Sequence, residues 1–232
     1  MQTTSDDTAR PRLPPGQRVR PDFPRFGIVA FARQKLPASG VRIEILGAIE
    51  HPLVLTAVEL ATLPRVTQRA DFHCAAGWSH LSLEWSGFRF KDAWEQLILP
   101  KARPTAQIEL VVLRCQDRYR TALPLADLLA ADVLLADRLN GEPLTVEHGA
   151  PIRLIAPAHY GYKNAKHLSH LELRPDEHGY RAQVRLLDHP RARVAQEERG
   201  QFLPGWILRH AFRPCIEPIV RAIKAIGDSQ RS

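Results

Sequence analysis

The sequence predicts an α+β domain rich in β structure, and three observations carry that prediction. Short alternating or wholly apolar runs recur along the chain, brief runs of helical period fall between them, and Gly, Pro and Asn-Gly punctuation separates the two kinds. The composition is globular, with 232 residues of which 44% are hydrophobic and 25% charged. That length suits one large domain or two small ones.

From the N-terminus, residues 1–20 are spaced by Pro11, Pro14 and Pro15 and read as an extended arm. Proline removes backbone donors and keeps the residue before it out of the helix, so the arm's order must come from docking on the body. Val41 to Leu46 alternates as a half-buried strand and Gly47 ends it. Thr56-Ala57-Val58-Glu59 is a capping box ahead of a short helix that Pro64 stops. Val66 to His73 is the next strand, which leaves Cys74 where the chain quits the sheet. Leu81, Leu83 and Trp85 alternate as a strand, whereas Phe90, Trp94 and Leu97 recur at helical spacing.

Ile108 to Leu113 has the wholly apolar character of a buried strand, with Cys115 just past its end. Leu125 to Leu129 predicts a short helix, and Val133 to Leu139 a strand before the tight turn at Asn140-Gly141. Pro151 to Ile155 and His167 to Leu173 are strands on either side of the loop Tyr160 to Lys166. Beyond a charged stretch from Arg191 to Arg199, Leu203 to Ile226 is helical, with interruptions expected at Pro214 and Pro218. The organisation expected is an arm over 1–20, a body over 21–200 and a basic amphipathic tail over 201–232.

Cys74, Cys115 and Cys215 are odd in number, far apart and free of any CxxC pair, which argues against a disulfide framework or a zinc finger. Reduced thiols and the lack of a long apolar run in residues 1–27 lead to the expectation of a cytoplasmic protein. The net charge of +7 permits anionic partners. Without aromatic-basic interleaving it reads as scattered solubilising charge, and no nucleic acid is expected.

Two runs could carry chemistry. Asp71-Phe72-His73-Cys74-Ala75-Ala76-Gly77-Trp78-Ser79 offers a thiolate, a soft donor suited to transition metals, although a lone cysteine can equally be a small buried hydrophobe. His148-Gly149-Ala150-Pro151-Ile152-Arg153, with His159 to Lys166 close behind, offers a Gly-bearing loop and the cations Arg153, Lys163 and Lys166. Such a loop either binds an anion or is simply a basic surface loop. Walker and GxGxxG patterns are absent. His167 and His170 fall on opposite faces of one strand and cannot share an ion without a bulge, and Ser79 lacks the surroundings of a nucleophile elbow.

Taken together, FHCAAGWS, LPLADLL, LNGEPLTVEHGAPIRLIAPAHYGYKNAKHL and LLDHPRARV resemble the sulfite-oxidase-type family of molybdopterin-dependent oxidoreductases, from about Pro21 to Glu198. The resemblance implies a β-rich mixed α+β catalytic domain around a molybdenum–molybdopterin cofactor. It makes Cys74 the metal ligand and the catalytic centre. It places Cys115 against the pterin, gives His148 and Arg153 the task of holding the cofactor, and closes Lys163, Asn164, Ala165 and Lys166 on its phosphate. His73 and Trp78 would stand beside the metal ligand, and Arg25 is the candidate from the N-terminal segment.

The residues after Cys74 resemble the bacterial sulfoxide-reductase branch more than true sulfite oxidases, although Ala76 stands where that branch has an acid. The resulting expectation is oxo-transfer or redox chemistry on a small oxyanion, sulfoxide or N-oxide, with an unidentified electron-transfer partner. The alternative is a cofactor-free binding domain that docks on a partner or a membrane surface through residues 203–226.

Overall fold

The computed structural model describes residues 13–32, 40–184 and 188–231, so the part of the arm before Leu13 lies outside it. Along the chain, β1 (Arg18–Val19) and a single helical turn α1 (Val29–Ala32) precede the first long strand, β2 (Arg42–Gly47). In β2 Ile43 and Ile45 are fully buried while their neighbours face outward, the period-two pattern expected of a half-buried strand. β3 (Leu53–Thr56) runs into α2 (Ala57–Leu60) through the capping box: the Glu59 amide donates to Thr56 Oγ1, and the Thr56 amide donates back to the Glu59 carboxylate. β4 (Arg65–His73) and β5 (Trp78–Arg89) then form a long hairpin.

The helical run that follows is one continuous segment, α3 (Phe90–Ala93), a π turn (Trp94–Ile98) and α4 (Leu99–Ala102). It buries Phe90, Trp94, Leu97 and Ile98 together. Next come β6 (Leu110–Cys115), β7 (Arg120–Pro124), α5 (Leu125–Leu128), β8 (Leu134–Leu139), β9 (Glu142–Pro143), β10 (Arg153–Ile155) and β11 (Leu168–Arg174). Two helices close the chain, α6 (Gly205–Phe212) and α7 (Ile216–Arg231), joined by a single 3-10 turn. Pro214 sits in that joint. Pro218 does not interrupt α7, because it falls in the first turn, where a helix has no internal acceptor for the missing N–H.

The strands form two sheets. One has β5 between β1 and β8, with β10 beyond β8, while β4 also pairs with β5 and β9 with β8; the other runs β3-β2-β11-β6-β7. Phe88 and Leu135 of the first sheet share one buried cluster with Ile43, Leu113 and Leu171 of the second. Burying each such side chain contributes about 2 kcal/mol, and this shared core makes the two sheets one scaffold.

Both flanks pack on it. β1 pairs in parallel with β5, and α7 packs against α1. Leu208, Ile216 and Ile223 are buried, so the tail's apolar face is turned onto the body instead of outward. Among the described residues no helix is long and apolar enough to cross a membrane.

Candidate active site

Cys74 lies in the turn of the β4–β5 hairpin. Its amide donates to the Trp78 carbonyl at 2.8 Å, and the Gly77 amide donates to the Cys74 carbonyl at 2.9 Å. Gly77 takes φ 99°, a conformation that strains any side chain, and so lets the turn stay this tight. The sulfur is buried and accepts a contact from the Ala76 amide at 3.5 Å. Burial pushes the thiol up to about 12, against the pull of the Ala76 amide and of Arg199 and Lys166.

Strand alternation sends His73 to the other side. Its Nδ1 is 2.8 Å from Ser79 Oγ, and that hydroxyl donates to Gln17 Oε1 at 3.0 Å. Ser79 is therefore committed to a buried structural network. Burial lowers the His73 pKa.

Cys74 opens on a cavity of about 350 Å³ whose wall includes Arg25, Asp117, Asn164, Lys166 and Arg199. Apolar side chains line it too, among them Phe26, Trp78, Phe212, Ile219 and Ile223. Lys166 donates to the Glu147 carbonyl at 3.1 Å, and burial, helped by Arg153 and Arg25, pulls it down to about 7. Arg25 is also lowered by burial, and Asp117 is raised by it. Positive groups thus crowd a space whose lining acids are Asp117 and Asp188, and Asp188 is already paired with Lys163. A cavity of this kind favours an anion.

Behind the cations stands a second layer. Arg153 is fully buried, donates to the carbonyls of His148 at 2.9 Å and Asn164 at 3.3 Å, and lies 4.9 Å from the centre of the Trp85 ring. Burial lowers its pKa. His148 stacks on Phe23 at 5.1 Å, and burial followed by Lys166 and Arg153 holds it down to about 4. Asn164 spends its side chain on the loop itself: Oδ1 accepts from the Ala156 amide at 2.7 Å, while Nδ2 donates to the carbonyls of Ala156, His159 and Tyr160.

Of the residues singled out from sequence, Arg25, Cys74, Asn164 and Lys166 meet at the cavity, with Arg153 and His148 supporting them. Four stand apart from its lining, and the first is His73, whose ring is turned to Ser79. Lys163 points its ammonium at the Asp188 carboxylate and donates to the Ala122 carbonyl. Cys115 belongs to the main core, and Ala165 is packed into it as well.

Asp117, Tyr119 and Arg199 line the cavity and were not singled out. Asp117 could have been noticed as an acid two positions past Cys115, directly before Arg118. Nothing in the sequence around Arg199 distinguishes it from its charged neighbours.

The family described as oxidoreductase molybdopterin binding domain matches residues 32–181. The chain is 35% identical over 169 residues to the uncharacterized oxidoreductase YuiH of Bacillus subtilis (strain 168), covering 72% of this chain and 81% of that one. It is 29% identical over 138 residues to YedZ1 of Azospira oryzae, whose name proposes a protein-methionine-sulfoxide reductase subunit; that match covers 60% of this chain and 50% of the relative. Among solved structures, the sulfane dehydrogenase SoxCD from Paracoccus pantotrophus matches with a TM-score of 0.50 and 25% identity, over 58% of this chain and 38% of that one. The chain thus spans half of YedZ1 and less of SoxCD. Cys74 and the loop from His148 to Lys166 both fall within the matched region, and the chain belongs to the family of molybdopterin-binding oxidoreductases, as an enzyme of the sulfite-oxidase type.

Proposed function

We propose that this chain holds a molybdenum–molybdopterin cofactor with Cys74 as the protein's ligand to the metal, and performs oxo-transfer or redox chemistry on a small oxyanion, sulfoxide or N-oxide. One observation carries the reading: a buried thiol and a cluster of crowded cations open onto the same cavity. Among the described residues no group of three or more His, Cys, Asp or Glu side chains could hold a metal unaided. A metal at Cys74 therefore needs further ligands from outside the protein, which is what a dithiolene pterin brings. Coordination also deprotonates a thiol outright, which removes the obstacle of its raised pKa.

The cofactor, when bound, supplies the redox chemistry, and the protein supplies ligation, orientation and electrostatics. Lys166 and Arg25 would hold its phosphate, while Arg153, His148 and Asn164 fix the loop from which Lys166 projects. Trp78 has a buried indole N–H with no partner among the described residues, and an oxygen of the bound group or substrate would satisfy it. Phe26, Phe212 and Ile223 keep water from the space around the sulfur.

A separate electron-transfer partner is part of this reading, in keeping with a relative named as a subunit. The cytoplasm is the compartment proposed, on the strength of three free thiols, and cell fractionation tests it. For the function itself the test is metal content by mass spectrometry after expression in a host that makes the molybdenum cofactor. Molybdenum stoichiometric with protein is expected, and a folded chain that repeatedly lacks it overturns the reading. Sulfite, sulfoxides and N-oxides, assayed with artificial electron dyes, then identify the substrate.

A further inference from the structure

The turn that carries Cys74 is tied down by residues far away in sequence, and both ties lie outside the region that matches the family, 32–181. From the N-terminal side, Gln17 Nε2 donates to the Cys74 carbonyl at 3.1 Å, while the amides of Arg18 and Arg20 donate to the carbonyls of Gly77 and Ser79. From the C-terminal side, Arg199 donates to the Ala75 carbonyl at 2.6 Å and to the Pro15 carbonyl at 2.8 Å. One guanidinium thus bridges the Cys74 turn and the arm. Its third bond goes to Glu197 Oε1 at 3.2 Å, a carboxylate that also receives Arg209.

Arg213 completes the closure by donating to the Gly16 carbonyl at 3.1 Å. Gly16 itself takes φ 68°, and a Cβ there would fall 2.4 Å from the Arg209 side chain. Arg199 is fully buried, with its guanidinium 5.0 Å from the centre of the Tyr160 ring, and Gln17 is 8% exposed. Neither is a surface contact that solvent could replace.

We propose that Arg199 and Gln17 are positioning residues, which clasp the Cys74 turn between the two flanks and so fix the sulfur where it must stand to ligate a metal. This rests on the cofactor reading above. The physical reason is geometric. A hairpin turn held only by its own strands can tilt, and a tilt of the Cys74 backbone carries the sulfur with it. Buried charge-assisted bonds to the turn's carbonyls remove that freedom.

The experiment uses the full chain from a cofactor-competent host, with Arg199→Gln, Arg199→Lys and Gln17→Ala. Two readouts separate positioning from general stability: the g values of the molybdenum(V) paramagnetic resonance signal, and hydrogen exchange of the amides of residues 74–79 in cofactor-free protein. Arg199→Gln is expected to shift the g values and to speed molybdenum loss on dialysis about tenfold, the scale of one lost hydrogen bond to a charged group. Arg199→Lys should recover part of both. Exchange at 74–79 should rise in Arg199→Gln and Gln17→Ala, with β6 and β11 unchanged.

Wild-type spectra together with wild-type exchange at 74–79 overturn the clasp, and so does exchange that rises equally throughout the molecule. If Arg199→Gln does not fold, Arg199→Lys and Gln17→Ala decide by the same criteria. A wild-type chain that never binds molybdenum sinks the cofactor reading alone, and the exchange measurement then decides whether the turn is clasped.

Discussion

At one end of the cavity, Cys74 is held through backbone: its turn closes on itself through Gly77 and Trp78 and is gripped at its carbonyls by Gln17 and Arg199. At the other end, Lys166 and Arg25 bring charge into the space, and the layer behind them is made of side chains, with Arg153 and Asn164 donating to loop carbonyls. The difference matches the two tasks proposed for these ends. A metal bond tolerates little displacement of its ligand, so restraint at the main chain suits the role proposed for the thiol. A phosphate accepts donors over a wider range of directions, so cations on side chains would suffice for the role proposed at that end.

The comparison is broken most severely at the sulfur. Cys74→Ser should abolish turnover and leave the fold intact, because the hydroxyl replaces a thiol of similar size. Turnover assays beside thermal melting check this, and retained activity would remove Cys74 from the chemistry. Arg153→Met should cost about 3 kcal/mol, since the buried carbonyls of His148 and Asn164 lose charged donors. Urea denaturation of the cofactor-free protein measures it.

Lys166→Gln acts the other way on cofactor-free protein. The lysine's pKa falls from 10.5 to about 7 on folding, so between those values the unfolded chain binds more protons and stability rises with pH. Below about 7 the charged form carries its full penalty in the folded state. The Gln variant should therefore melt higher than wild type at pH 6, with the gap shrinking toward pH 10. Inorganic pyrophosphate should stabilise the wild type and not the variant. His148 and His167, both held down to about 4 from 6.5, impose a second slope, and stability should fall as pH drops from 6.5 to 4.

Trp206, 57% exposed at the start of α6, marks the small end of the scale. Its change to Ser should move stability by no more than about 0.5 kcal/mol.

The strands that the sequence displays well are those with a buried and an exposed face, such as β2 with Ile43 and Ile45, or those wholly buried, such as β6. β3 and β7 escape notice because each is only a few residues long and borders a helix that dominates the local pattern. In the site, the motifs draw attention to Cys74 and Lys166, and both line the cavity. Lys163 carries the same charge on the same loop, yet it lies in a 3-10 turn over Gly161–Lys163 and its ammonium is taken up by Asp188. Gln17 and Arg199 could not be read from sequence, because their significance lies in carbonyls 57 and 124 positions away. Hydrogen bonds to the main chain leave no trace in residue type.

Phe212, Ile219 and Ile223 give the cavity one part of its apolar wall, from the two helices that follow the strands of both sheets in chain order, while Phe26, Phe72 and Trp78 give it another from the N-terminal side. During synthesis from the N-terminus, the thiol, the cations and both sheets are therefore complete before this cover leaves the ribosome. The helical wall is thus the last part of the cavity to be made, and the order of synthesis leaves that side to be closed after the thiol and the cations are in the chain.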